Sequence, residues 1–94
     1  MNQTEFEKKC AAEGYAEIVD RTMEANKFNP EHSHEFDACV MVIEGEMTIT
    51  RNGKPEMFRV GDVCQMAAAT PHTELSGPGG ARYLAGRRFP HAAG

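Results

Sequence analysis

The chain has 94 residues, 14 acidic and 10 basic, for a net charge of −4, and 40% of them are hydrophobic. That length holds one small domain and excludes a two-domain enzyme, while the composition is globular rather than that of a disordered tail. No basic excess exists to displace counterions, which speaks against a nucleic-acid partner, and no apolar run approaches the roughly 18 residues of a membrane span. The polar start Met1-Asn2-Gln3-Thr4-Glu5 is unlike a signal peptide. Cys10, Cys39 and Cys64 are few, odd in number and without C-x-x-C spacing. They read as buried small hydrophobes, and a cytoplasmic, reducing environment is the expectation.

Residues 1–14 are expected to form one short N-terminal helix. Thr4 and Glu7 fit a capping box, Phe6 and Cys10 sit at helical spacing, and Gly14 is the stop. Such a helix is too short to stand alone and must dock on something. From Tyr15 the pattern changes to strands. Ala16–Met23 alternates loosely, with Ala16 and Ile18 among its apolar positions, and Asn26–Pro30 is rich in turn residues. Ala38–Ile43 is a continuous apolar run, which predicts a strand buried on both faces. Glu44-Gly45-Glu46 breaks it, and Glu46–Arg51 then alternates with Met47 and Ile49 inward.

Asn52-Gly53 signals a tight hairpin, since both residues tolerate positive φ. Pro55 marks the return strand as an edge. Val60–Asp62 reads as a turn, Val63–Met66 as a strand, Ala67–Pro71 as a loop and His72–Leu75 as a strand. Ser76–Gly80 is expected to break regular structure before a last strand at Arg82–Arg88. The sum is about seven or eight strands in an antiparallel sandwich or barrel, spanning residues 15–88, with 89–94 as a tail.

His32 and His34 are two apart, and on an extended segment they share a face. Two imidazoles side by side present two metal ligands, with His72, after Thr70-Pro71, as the third. The other reading is a pair of surface histidines flanked by Glu31 and Glu35. Glu74 falls on the face of His72 and is a candidate acid or base, against a solvated edge, and Gln65 and Thr70 are placed near the mouth. Arg87-Arg88 suits an anion or a solvated strand end. Met41, Met47, Met57 and Met66 are expected in the barrel core. His91 belongs to the tail.

The stretch His32-Ser33-His34, with Gly45 eleven residues on, resembles the first motif of the cupin superfamily. Gly61-Asp62 followed by Thr70-Pro71-His72 resembles the second, after a 15-residue spacer typical of compact bacterial cupins. The resemblance spans about residues 15–88 and implies an all-β, single-domain, jelly-roll β-barrel with His32, His34 and His72 as inward metal ligands. The sequence departs from the pattern where the superfamily's ligand glutamate would stand, at Ala38, and also at Ala67, Ala69 and Ser76. A three-histidine site completed by solvent is the direct reading. Glu35, Asp37 or Cys39 are the nearby substitutes, although strand parity turns Asp37 and Cys39 away. Asp37 alternatively orients a ligand histidine. The absent glutamate also resembles thiol dioxygenases, some with a cysteine–tyrosine crosslink, for which only Tyr15 and Tyr83 are available to Cys39.

Three neutral imidazoles suit a divalent transition metal: Zn, Fe, Ni or Cu. The resemblance implies a small-molecule ligand, a dioxygenase or isomerase as the class of activity, and a homodimer formed by edge strands, in line with the burial a small barrel lacks. The alternatives are a small-ligand-binding or structural cupin module without metal, and the sensor half of a regulator that needs a separate partner chain.

Overall fold

The computed structural model describes residues 1–89. His91 lies outside them. Helix α1 (Gln3–Ala12) is capped by Asn2, not by Thr4. Asn2 Oδ1 accepts from the Glu5 N–H at 2.8 Å, and Glu5 Oε1 accepts from the Asn2 N–H at 2.9 Å. Asn is the stronger cap of the two, and its position starts the helix earlier. Gly14, with φ +83°, ends the helical segment as expected. This helix is too short and polar to cross a membrane, and no other helix occurs among the described residues.

Six strands follow rather than seven or eight: β1 (Glu17–Met23), β2 (Phe28–His32), β3 (Asp37–Arg51), β4 (Lys54–Arg59), β5 (Val63–Met66) and β6 (His72–Arg88). The difference arises at two places where glycines bend a strand without ending it. β3 runs straight through Glu44-Gly45-Glu46, with register shifts between Val42 and Glu44 and between Gly45 and Met47. β6 runs through Ser76–Gly80, where the ladder passes from Gly45↔Ala81 to Met47↔Ser76 and leaves residues 77–80 as an outward excursion. The turn expected over Asn26–Pro30 is confined to its first residues, because Phe28 already begins β2.

These bends divide one ladder into two antiparallel sheets. The first half of β3 pairs the last half of β6, flanked by β1 and β5. The second half of β3 pairs the start of β6, flanked by β2 and β4. This is the expected jelly-roll arrangement. The Asn52-Gly53 turn, with φ +54° and +72°, closes β3 on β4 as the dipeptide predicts. β4, which contains Pro55, pairs only with β3 among the described residues.

Two clusters share the apolar run of β3 by parity. Ala38, Val40 and Val42 face the interior with Met47, Ile49, Phe58 and Cys64. Cys39 and Met41 face outward beneath α1, against Phe6, Cys10, Tyr15 and Leu84. The run is therefore buried on both faces, and the helix has found its dock. Met41 thus packs outside the barrel, and Met57, expected in the core, is exposed. On β1, Val19 and Met23 face inward, whereas Ile18 lies on the exposed side.

At the bend, a Cβ on Gly45 would overlap the Gly80 carbonyl oxygen and lie 2.9 Å from its carbon. Both partners are backbone, so neither yields cheaply, and the φ of +71° adds strain for any L side chain. Gly45→Ala is expected to lower stability by about 2–4 kcal/mol. Urea unfolding checks this, and an unchanged midpoint would contradict the close crossing.

Candidate metal centre

The register of β2 against β6 sets His32 opposite His72 and Asn29 opposite Glu74. His34 follows in the segment between β2 and β3, beyond any strand. It is held by its carbonyl oxygen, which accepts from the Ala69 N–H at 2.8 Å. The three ring centroids stand 4.3–5.3 Å apart. One candidate ligand atom from each of His32, His34, His72 and Glu74 falls within a set whose members all lie within 4.8 Å of one another. Donors about 2.1 Å from one ion are at most about 4.2 Å apart. The bound on the set is close to that span.

The carboxylate in this group is Glu74, read from sequence as an acid or base. Glu35 is exposed. Asp37 faces outward, where Oδ1 accepts from the Ala68 N–H at 2.8 Å and Oδ2 from Arg88 Nε at 3.0 Å. These two donors hold its carboxyl below the usual range, the Ala68 N–H most of all. Cys39 is sealed beneath α1, where burial pushes its thiol up to about 12, and Tyr83 lines the interior instead. A Cys39–Tyr83 crosslink therefore has no geometry, and Tyr15, which does share the helix-side cluster, is on the wrong face for the site. Parity predicted the outward Asp37 and Cys39, but the match of Glu74 to Asn29 and His32 required the β2–β6 register.

Tautomers are imposed by the backbone. His72 Nδ1 lies 2.9 Å from the Thr70 carbonyl oxygen and His32 Nδ1 lies 2.8 Å from that of Pro30. A carbonyl only accepts, so each Nδ1 carries a proton and each Nε2 is the ring nitrogen left to face the cluster. His72 is 1% exposed, and its Nε2 is buried with no hydrogen-bond partner. It stands 3.3 Å from Glu74 Oε2. A buried ring nitrogen without a hydrogen-bond partner, set beside a carboxylate, is an arrangement that a bound cation would satisfy. Glu74 is itself oriented, since its Oε1 accepts from Asn29 Nδ2 at 2.9 Å. Burial, and then the neighbouring His32 and His72, lower the pKa of His34 below its ordinary value, so its ring stays neutral and donor-competent further into acid.

The cluster opens into a cavity of about 240 Å³ lined also by Val19, Phe36, Val40, Met66, Tyr83 and Arg87. Burial raises the Tyr83 phenol, which stays protonated at neutral pH. Of the arginine pair, Arg87 lines the cavity, while Arg88 reaches outward to Asp37 and the Glu13 carbonyl. Gln65, expected near the mouth, points to the helix side and donates to Glu13 Oε1. Thr70 does belong to the site, through the carbonyl that holds His72. Phe36 and Asn29 were not singled out in the sequence, and Tyr83 only as a crosslink partner for Cys39, because their place beside the cluster depends on tertiary structure. A larger groove of about 580 Å³ lies on the outer surface by Asp20, Glu44 and Arg82, but there Arg82 is already paired with both carboxylates.

Ser76, where the superfamily has asparagine, is buried and closes the β1–β2 turn. Its Oγ accepts from the Lys27 N–H at 2.8 Å and donates to the Glu24 carbonyl.

An antiparallel jelly roll with three imidazoles and one carboxylate converging inside it defines a small barrel-type protein with a candidate metal centre. Residues 20–84 match the cupin domain family, so the chain belongs to the cupins. No curated protein matches the sequence. Among solved structures, an RmlC-like cupin from Shewanella frigidimarina is similar at 17% identity and TM-score 0.69, over 80% of this chain and 67% of that one. The DMSP lyase DddQ from Ruegeria pomeroyi is similar at 19% identity and TM-score 0.72, over 82% of this chain but 40% of that one. KdgF from a Halomonas species is similar at 20% identity and TM-score 0.62, over 76% of this chain and 68% of that one. At these identities the likeness is one of fold.

Ala69 holds a φ of +65° while its N–H secures the His34 carbonyl. The superfamily's glycine stands at this position, and alanine in the left-handed region is strained. Ala69→Gly is expected to raise stability by about 0.5–1 kcal/mol, the relief of strain less the flexibility glycine adds to the unfolded chain. A urea midpoint that falls would show that Ala69 is not strained.

Proposed function

We propose that this cupin holds a divalent transition metal on His32, His34, His72 and Glu74 and takes a small-molecule ligand from the adjoining cavity. The observation that carries the reading is His72 Nε2, buried, without a hydrogen-bond partner, turned to the cluster by the Nδ1–Thr70 contact and beside the Glu74 carboxylate. Three imidazoles with one carboxylate suit Zn, Fe, Ni or Cu. Such an ion would supply Lewis acidity, or redox chemistry if it is iron or copper. The chain's own part is definite. Pro30 and Thr70 aim the imidazoles, Asn29 holds the carboxylate, and Val19, Phe36, Val40 and Met66 keep the cavity walls apolar. Tyr83 offers a protonated hydroxyl to a bound ligand.

A dioxygenase or isomerase is the class of activity we propose, and the fold likeness to a DMSP lyase adds elimination to the reactions to be assayed. The competing reading is a ligand-binding or structural module without metal. Elemental analysis of protein purified without added metal separates the two. One transition-metal ion per chain is expected, with occupancy lost in His72→Ala and affinity reduced about 10–100-fold in Asn29→Leu, which touches only the carboxylate. Metal-free wild type that folds as stably as His32→Ala would sink the metal reading. Oxygen uptake with thiols and diketones then tests the dioxygenase class.

We further propose a homodimer, in a reducing cytosol where Cys10, Cys39 and Cys64 remain thiols. What supports it is that α1 covers the outer face of one sheet only. On the other sheet Phe28, Leu75, Thr48 and Met57 form a cross-strand row, with Phe28, Leu75 and Met57 exposed. Such an apolar stripe is burial left unclaimed by a small barrel. Light scattering is expected to give twice the chain mass, and Leu75→Glu the single mass. A wild-type monomer at micromolar concentration would refute it.

A further inference from the structure

We infer that the cavity selects a small carboxylate, with the Arg87 guanidinium as its clamp. The inference rests on the metal-binding reading and names the ligand class of that same site.

Arg87 is the arginine whose hydrogen bonding is incomplete in a sheltered place. Arg82 donates to Asp20 and Glu44, Arg88 to Asp37 and the Glu13 carbonyl, and Arg51 to the Gln65 carbonyl. Arg87 makes a single ion pair among the described residues, 3.5 Å to Glu17, a side chain that is 54% exposed. Such a pair is weak and readily exchanged. Its Nε is buried and has no hydrogen-bond partner among the described residues. Arg21 also lines the cavity but is exposed, where water meets its needs.

Position makes the unmet donors useful. Arg87 lines the same cavity as the cluster, and its Cζ lies 4.8 Å over the Phe36 ring. His34 also stacks on Phe36, at 4.8 Å between centroids. The guanidinium and the cluster thus share one wall. The packing holds the guanidinium beside the ring without using its N–H groups, which leaves them for bidentate capture of a carboxylate.

Charge points the same way. The chain as a whole is acidic, yet the cavity's lining cations are Arg21 and Arg87 and its single carboxylate is Glu74. With Glu74 committed to a cation beside the histidines, the remaining lining is positive and calls for an anion. At about 240 Å³ the space is below the usual range for drug-sized ligands and suits a short acid. A second oxygen on that acid would face the histidine–glutamate cluster.

Matched probes test this. Cobalt-loaded protein is titrated with 4-hydroxybutanoate and with 4-hydroxybutanamide, equal in size and different in charge, and followed by NMR, including the Arg87 Nε–H signal. We expect the carboxylate to bind at least about tenfold tighter than the amide and to move the Arg87 signal. Arg87→Met should remove that preference with cobalt stoichiometry and the dispersion of the amide spectrum unchanged. Arg87→Lys, which keeps the charge and loses the fork, should retain part of it, and it bears the test alone if Arg87→Met does not fold. Equal binding of the two probes, binding of neither, or a preference that survives Arg87→Met or is undiminished in Arg87→Lys overturns the clamp. An Arg87-dependent preference in protein that takes up no cobalt upholds the clamp and refutes the metal reading.

Discussion

The pairing of β3 with β6 is the constraint on which the rest of the molecule depends. These two strands form one ladder from Asp37↔Arg88 to Thr50↔Thr73, interrupted where Gly45 meets Gly80 and Ala81. Were the ladder straight, its two halves would lie in a single plane with no enclosed interior. The bend turns the halves toward each other, and the outer strands then complete two facing sheets. Because side chains alternate along each strand, the same bend decides which residues become the barrel lining and which become the outer surface.

The candidate metal centre lies at the end of this construction. β6 begins at His72, and the loop before it delivers the Thr70 carbonyl that accepts from His72 Nδ1–H. β2 ends at His32, with Pro30 playing the same part. Two strands that meet at their ends thus present two Nε2 atoms, and each ring is aimed by a carbonyl two residues earlier. His34 is fixed differently, by a bond from Ala69 across the gap between loops. The loop that supplies Ala69 is itself tethered through Ala68 to Asp37, and Asp37 to Arg88. An outward ion pair on one face thereby steadies an inward imidazole on the other.

The two sheets differ in their cover. α1 lies over the first through Phe6 and Cys10, which meet Cys39, Met41 and Leu84. A Cβ on Gly86 would lie 2.8 Å from Cys10 Sγ, so the absence of a side chain on β6 allows the helix this close. The second sheet carries no such cover and leaves Phe28, Leu75 and Met57 in water. The helix is too short to serve both faces.

Local pattern made much of this legible. The Asn52-Gly53 hairpin, the run Ala38–Ile43, buried on both faces as far as Val42, the edge strand at Pro55 and the inward turn of Met47 and Ile49 follow from φ preference and period-two alternation, which act over a few residues. The histidine motifs carried the fold family and three members of the cluster. The strand count was misread because glycine reads locally as a stop, while a bulge in a long ladder supplies the missing partners and lets the strand continue. The same limit hid the fourth member. Nothing in the residues around Glu74 distinguishes a solvated edge from a ligand, since its role depends on Asn29 and His32, more than forty residues away and brought alongside by register. Arg87 and Arg88 are adjacent in sequence and opposite in fate for the same reason. By itself the sequence determined the fold class and the three imidazoles, through local and periodic preference. Only the tertiary structure decided which carboxylate joins them and which arginine faces the cavity, because those outcomes are set by cross-strand register.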